Sequence, residues 1–178
     1  MAKHVMVDLE TLGTTADAVI LSIGAVMFNL DTGEVDDNAF YSSISIESNL
    51  GLHRRISEDT LKWWMKQSSE AQLVFSEDKA HIADALEEFS LWLPKDPFMW
   101  SNGADFDLPM IQHAMTQTEL PIPWKFYNNR CVRTYKNLPG AKDVSIERKG
   151  LHHNALADAV YQAELVSAIH AKLFGGKK

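Results

Sequence analysis

Asp8 and Glu10 stand two residues apart in Met6-Val7-Asp8-Leu9-Glu10-Thr11, directly after an apolar run. If that run is a strand, both side chains leave the same face at the point where it reaches water. Further acids follow a glycine in Asn102-Gly103-Ala104-Asp105-Phe106-Asp107, and a histidine precedes an aspartate in His153-Asn154-Ala155-Leu156-Ala157-Asp158. Two unit charges about 4 Å apart repel by roughly 4 kcal/mol at an effective dielectric near 20. Carboxylates brought together must therefore take up protons or hold divalent cations. An oxygen-rich set suits a hard ion, magnesium or manganese. A histidine beside it, with an ordinary pKa of about 6.5, can take a proton from water at neutral pH. Each piece alone has a plainer reading. Asp8 and Glu10 are then surface acids, Asp107 and Asp158 first-turn helix acids favoured by the dipole, and His153 a loop histidine. Asp105 and His152 compete for the parts of their neighbours.

These residues need elements to carry them. Residues 3–8 read as a buried strand, 18–30 as a second strand after the turn at 13–17, and 39–46 as a third after Asp31-Thr32-Gly33. Short turns between them suggest an antiparallel meander. Ser57 is a good helix N-cap, with Glu58 and Asp59 in the first turn and the helix running on through Trp63, Trp64 and Met65. Ile82, Leu86, Phe89 and Leu93 recur at helical spacing between Asp78 and Leu93, and Pro94 marks the end. Residues 97–102 read as a fourth strand feeding a helix at 106–117, residues 126–134 as a fifth strand or turn, and 140–151 as a charged loop. Asn154 caps a last helix running to Phe174, which Gly175-Gly176 ends. The order βββαβαβα implies an α/β fold, a mixed five-stranded sheet flanked by helices. In it Phe106 anchors a turn while Asp107 points back toward the strand ends, and Asp158 lies just over one turn inside the last helix.

At 178 residues the chain reads as a single domain, 1–178, with the 46% hydrophobic and 23% charged make-up of a globular protein. Its apolar runs are too short to cross a bilayer. The N-terminus lacks a signal-peptide layout, and Cys131 is the only cysteine, so a cytoplasmic, reducing setting is expected. The net charge of −7 argues against a general nucleic-acid coat protein. A carboxylate site, however, recruits its own cations. His53-Arg54-Arg55, Lys62 and Lys66, Arg130 and Arg133, and Arg148-Lys149 supply local positive charge, each read singly as solvated surface.

Taken together the motifs resemble the DEDDh branch of the 3′-to-5′ exonucleases, which share the ribonuclease-H-like fold. Asp8, Glu10 and Thr11 match Asp-x-Glu-Thr, Phe106 and Asp107 match the strand-then-Phe-Asp motif, and His153, Ala155, Asp158 and Ala159 match His-x-Ala-x-x-Asp-Ala. Ser22-Ile23-Gly24-Ala25-Val26 fits the second strand of that branch, and the likeness spans residues 5 to about 163. Thr60-Leu61-Lys62-Trp63-Trp64 and Arg133-Thr134 are similar to a small phage and bacterial subfamily described as exoribonuclease-like or as exodeoxyribonucleases. One departure is Gly103, where many relatives carry asparagine.

The resemblance implies a two-metal hydrolysis of phosphodiesters at the 3′ end of single-stranded RNA or DNA, releasing nucleoside 5′-monophosphates. Asp8, Glu10, Asp107 and Asp158 would hold two Mg²⁺ or Mn²⁺ ions about 3.5–4 Å apart, with His153 as general base. By the same carry-over the backbone of Thr11 and the side chain of Leu12 contact the terminal nucleotide. Adjacent helix positions diverge, so Trp63 and Trp64 cannot both face the core; either both pack, against core and neighbouring helix, or one, Trp64 in the first instance, stacks on a base. No membrane association is expected, and a homodimer is compatible with the chain. A metal-dependent phosphatase and a catalytically silent nucleic-acid-binding module are the rival readings. Release of inorganic phosphate from a small monoester would mark the first, and retention of all five site residues speaks against the second.

Overall fold

A computed structural model of the chain describes residues 4–150 and 152–175. Lys3, at the start of the expected first strand, and Gly176, in the expected helix stop, lie outside the described residues. Three strands open the fold: β1 (His4–Thr11), β2 (Ile20–Phe28) and β3 (Phe40–Ser43). Helices α1 (Ile46–Gly51), α2 (Glu58–Trp64) and α3 (Ile82–Trp92) follow. Then come β4 (Phe98–Ser101), α4 (Asp107–Gln117), β5 (Asn129–Cys131), α5 (Val132–Lys136) and the long α6 (Ala155–Phe174). The sheet order is β3-β2-β1-β4-β5, antiparallel across β1–β2 and β2–β3 and parallel across β1–β4 and β4–β5. The expected mixed five-stranded α/β sheet is thus present, with more helices than βββαβαβα allows.

The side-chain alternation of β1 decides what each face carries. Val5, Val7 and Leu9 pack on one side with Ile82, Leu86 and Phe89 of α3 and Leu108 and Ile111 of α4. Met6 packs on the other with Val26, Trp100 and the Ala159, Ala163 and Val166 stripe of α6. Asp8 and Glu10 continue the Met6 series, so with period two they face the side that α6 covers. Pairing of β1 with β4 ends at Met6↔Trp100, and β1 runs on beyond its neighbour. The two acids therefore lie at the carboxyl end of the parallel strands, where open α/β sheets place their ligands.

Several element boundaries differ from expectation: β1 runs on to Thr11, Val132–Lys136 is helical, and two further differences follow from identified hydrogen bonds. The third strand stops at Ser43 because Ser45 caps α1, its side chain accepting a bond from Ser48 N. The third helix begins at Ile82, not near Asp78. Ala80 N donates to Ser43 O and Ser45 N to Ala80 O, so this stretch is tied to the end of β3 in extended form. Among the described residues no helix is long and apolar enough to cross a membrane.

Candidate active site

Three arms of the fold meet at the end of β1. From β1 come Asp8 and Glu10, and from α6 comes Asp158, in the first turn after the Asn154 cap, whose side chain accepts from Ala157 N. Just before the cap, His153 turns the chain back with φ +61, and its backbone N–H donates to Asp158 Oδ2 at 3.2 Å. Glu10, His153 and Asp158 each offer a ligand atom within 4.8 Å of the others. These three and Asp8 line one cleft of about 330 Å³, with Asn102, Lys136, Arg148 and Gln162.

The approach of α6 depends on one residue. Gly24 pairs with Asp8 across the β1–β2 ladder, and a Cβ there would stand 2.2 Å from Ala155 C and Leu156 N. Only a glycine lets the first turn of α6 rest on the strand at this distance, which brings Asp158 and His153 over Asp8 and Glu10.

Asp107 opens α4 from beneath. Its Oδ1 accepts from Leu9 N at 3.2 Å, it is buried, and it does not line the cleft. Its charge is nonetheless felt by Asp8 and Glu10. Burial, then Asp107, then Glu10 push the Asp8 carboxyl well above the usual carboxylate range, while Gln162 Nε2, donating to Asp8 Oδ1 at 2.7 Å, opposes this. Burial and Asp107 raise Glu10 to about 8. Burial raises Asp107 to about 7 against its hydrogen bonds and the nearby Arg133. Acids that hold their protons this firmly need a cation to ionise together. Two carboxylates and an imidazole within reach, with a further carboxylate on the same cleft, fit a divalent ion. Burial lowers the His153 pKa, with His152 and Arg148 adding to the effect, so the ring is neutral at pH 7.

The competing residues separate. Asp105 is exposed while Asp107 is buried, and His152 is exposed at the cleft rim with its ring 6.2 Å from that of His153. At Gly103 the space a side chain would take is held by Asp105 Oδ1 at 3.0 Å and Arg133 Nη1 at 3.2 Å.

The expected substrate contacts need correction. Leu12 is buried in a small core with Val19, Leu21, Trp64 and Val74. Trp64 is 2% exposed, and its Nε1 donates to the Thr11 carbonyl at 2.9 Å. Leu12 and Trp64 have no free surface to offer a nucleotide, because both pack the turn after β1. Trp63, one position on, is 40% exposed and stands edge-on to the His153 ring at 4.8 Å. Two residues of the site escape sequence reasoning. Gln162 follows Asp158 by one turn, an i, i+4 spacing that puts both on one face of the helix. Arg148 reads in sequence as a surface charge, and nothing local marks it otherwise.

A family model described as the 3′-5′ exoribonuclease Rv2179c-like domain matches residues 3–170. An exodeoxyribonuclease of Enterobacteria phage T4 is 26% identical, the match covering 72% of this chain and 68% of that protein. Among solved structures, cell-death related nuclease 4 superposes over 94% of this chain with a TM-score of 0.60 at 11% identity; the chain spans 63% of that protein's length. The nuclease domain of 3′hExo, a DEDDh family member bound to rAMP, superposes with a TM-score of 0.54 at 14% identity, covering 98% of this chain and 92% of that one. At such identities the two superpositions speak for the fold.

Proposed function

The chain belongs to the Rv2179c-like 3′-5′ exoribonuclease domain family, and on that premise we propose that it releases nucleoside 5′-monophosphates from the free 3′ end of single-stranded RNA or DNA. The observation that carries this reading is the meeting of Glu10, His153 and Asp158 ligand atoms within 4.8 Å, at a cleft that Asp8 also lines. In this proposal Asp8, Glu10 and Asp158 hold the ions at the cleft, and Asp107 completes the acidic set from beneath Leu9. Two Mg²⁺ or Mn²⁺ ions bound there would supply Lewis acidity toward the attacking water and the departing 3′-oxygen.

His153 takes the proton of the attacking water. Its lowered pKa keeps the ring free to do so at pH 7. Gln162 holds Asp8 in one orientation by donating to Oδ1. The exposed ring of Trp63, beside His153, offers a face on which the terminal base can stack, a contact open to every base. Thr11 and Leu12 serve by fixing the turn that leads from the acids to α2.

The test is a degradation panel of 3′-labelled and 5′-labelled RNA and DNA oligonucleotides, single-stranded and duplex, with magnesium or manganese. Asp8→Ala and Asp158→Asn are expected to abolish product while circular dichroism stays native. His153→Ala is expected to lose most turnover yet still bind Mn²⁺. Full activity of the Asp8→Ala, Asp158→Asn double variant would refute the reading, and the RNA and DNA arms decide the sugar.

A further inference from the structure

Asp158, an expected ion ligand, already has a cation. Arg148 Nη2 forms an ion pair with Asp158 Oδ1 inside the cleft. The same guanidinium lies in the cleft that Asp8, Glu10 and His153 also line. Its carbon lies 4.9 Å from the Tyr161 ring centroid, and Tyr161 also lines the cleft. Its Nε is buried without an acceptor among the described residues. The residue stands on a stretch without helix or strand that turns at Gly150, where φ is +86.

A carboxylate oxygen committed to a guanidinium is not free for a divalent ion, and two cations at one carboxylate repel. Arg148 thus supplies Asp158 with a counter-charge at the place where an ion would compete for it. Once displaced, it needs another anion, and the anions that enter this cleft with substrate are phosphates. Nε and one neighbouring Nη form a side-on fork that matches two phosphate oxygens, and the Tyr161 ring beside the guanidinium carbon steadies it. We propose that Arg148 is an exchangeable counter-ion, neutralising Asp158 without metal, displaced when the ion loads, and then gripping a phosphate of the bound strand. This rests on the exonuclease reading. It couples ion loading to substrate occupancy, because substrate gives Arg148 its alternative partner.

The experiment is a Mn²⁺ titration of the ion-free, substrate-free protein by calorimetry, comparing wild type with Arg148→Met, which keeps an apolar stem for Tyr161. Without the competing cation, Mn²⁺ should bind about tenfold tighter, the low end of what a hydrogen bond to a charged group is worth. The KM for an oligonucleotide should rise by a similar factor. Arg148→Gln, as a second neutral variant, should also tighten Mn²⁺ binding. Arg148→Lys should leave Mn²⁺ affinity near wild type and still raise KM, since the charge remains and the fork is gone. Mn²⁺ affinity equal to or weaker than wild type in both neutral variants overturns the proposal. If wild type binds Mn²⁺ and Asp158→Asn does not, such a result sinks the counter-ion alone. If wild type neither binds Mn²⁺ nor degrades any oligonucleotide, the exonuclease reading falls and takes the counter-ion with it.

Discussion

Gly24→Ala is the sharpest probe of how this site is built. The added methyl would meet backbone on three counts, Ala155 C and Leu156 N at 2.2 Å and Ala155 O at 2.6 Å. Ordinary contact begins near 3.4 Å, so the first turn of α6 must retreat by about 1.2 Å. That turn carries Asp158, and His153 precedes it, whereas Asp8 stays on the strand paired with Gly24. Magnesium ligands sit about 2.1 Å from the ion, so two ligand atoms on opposite sides of it are about 4.2 Å apart. The Glu10 and Asp158 ligand atoms lie within 4.8 Å of each other, close to that span, and the substitution moves Asp158 away from the strand. A misplacement near 1 Å can cost about 100-fold in rate. Overpacking should cost about 1–3 kcal/mol of stability, at roughly 2–4 °C of Tm per kcal/mol for a chain of this size. Single-turnover hydrolysis of a 3′-labelled oligonucleotide, Mn²⁺ affinity and a thermal melt read all three effects. Gly51→Ala is the control, since a Cβ there meets nothing within 4 Å. If Gly24→Ala cleaves within about threefold of wild type and binds Mn²⁺ normally, the claim that helix approach sets this site's geometry is wrong.

Two further outcomes follow from the same structure. Glu10 and Asp107, raised to about 8 and about 7 chiefly by burial, bind protons more tightly folded than unfolded. The stability they favour is full below the ordinary carboxylate range and lost as pH rises toward 8, so ion-free Tm should be lower at pH 8 than at about pH 5.5. Saturating Mn²⁺ should restore more at the higher pH, and a gain independent of pH would contradict the burial of these acids. Trp64→Phe leaves the buried Thr11 carbonyl unpaired and should cost about 1–3 kcal/mol, whereas Trp63→Phe should leave Tm alone and raise KM. The reverse pattern in melting and steady-state kinetics would make Trp64 the substrate platform.

The parts legible in sequence were those set by local rules. Alternation on β1 puts Asp8 and Glu10 on one face, and the Ser57 and Asn154 caps start α2 and α6 where expected. What stayed hidden was settled by specific hydrogen bonds and ion pairs, most of them to distant partners. Ser45 reads as strand until its side chain caps α1, and residues before Ile82 read as helix until Ala80 pairs with Ser43 and Ser45. Trp63 and Trp64 are equal in sequence, and the small core around Leu12 together with the Thr11 carbonyl, 53 positions from Trp64, tells them apart. Arg148 is a surface charge by composition and a cleft residue by virtue of Asp158 and Tyr161.

The alternation along β1 also guards the fold against mispairing. Were β1 to slip by one residue against β2, Asp8 and Glu10 would turn onto the side packed by α3 and α4, and the Val5, Val7 and Leu9 series would face α6. Two carboxylates pressed unpaired into a hydrocarbon interior are too costly to hold. The two acids of this strand end thus double as a frame check, since the shifted ladder would bury them in hydrocarbon.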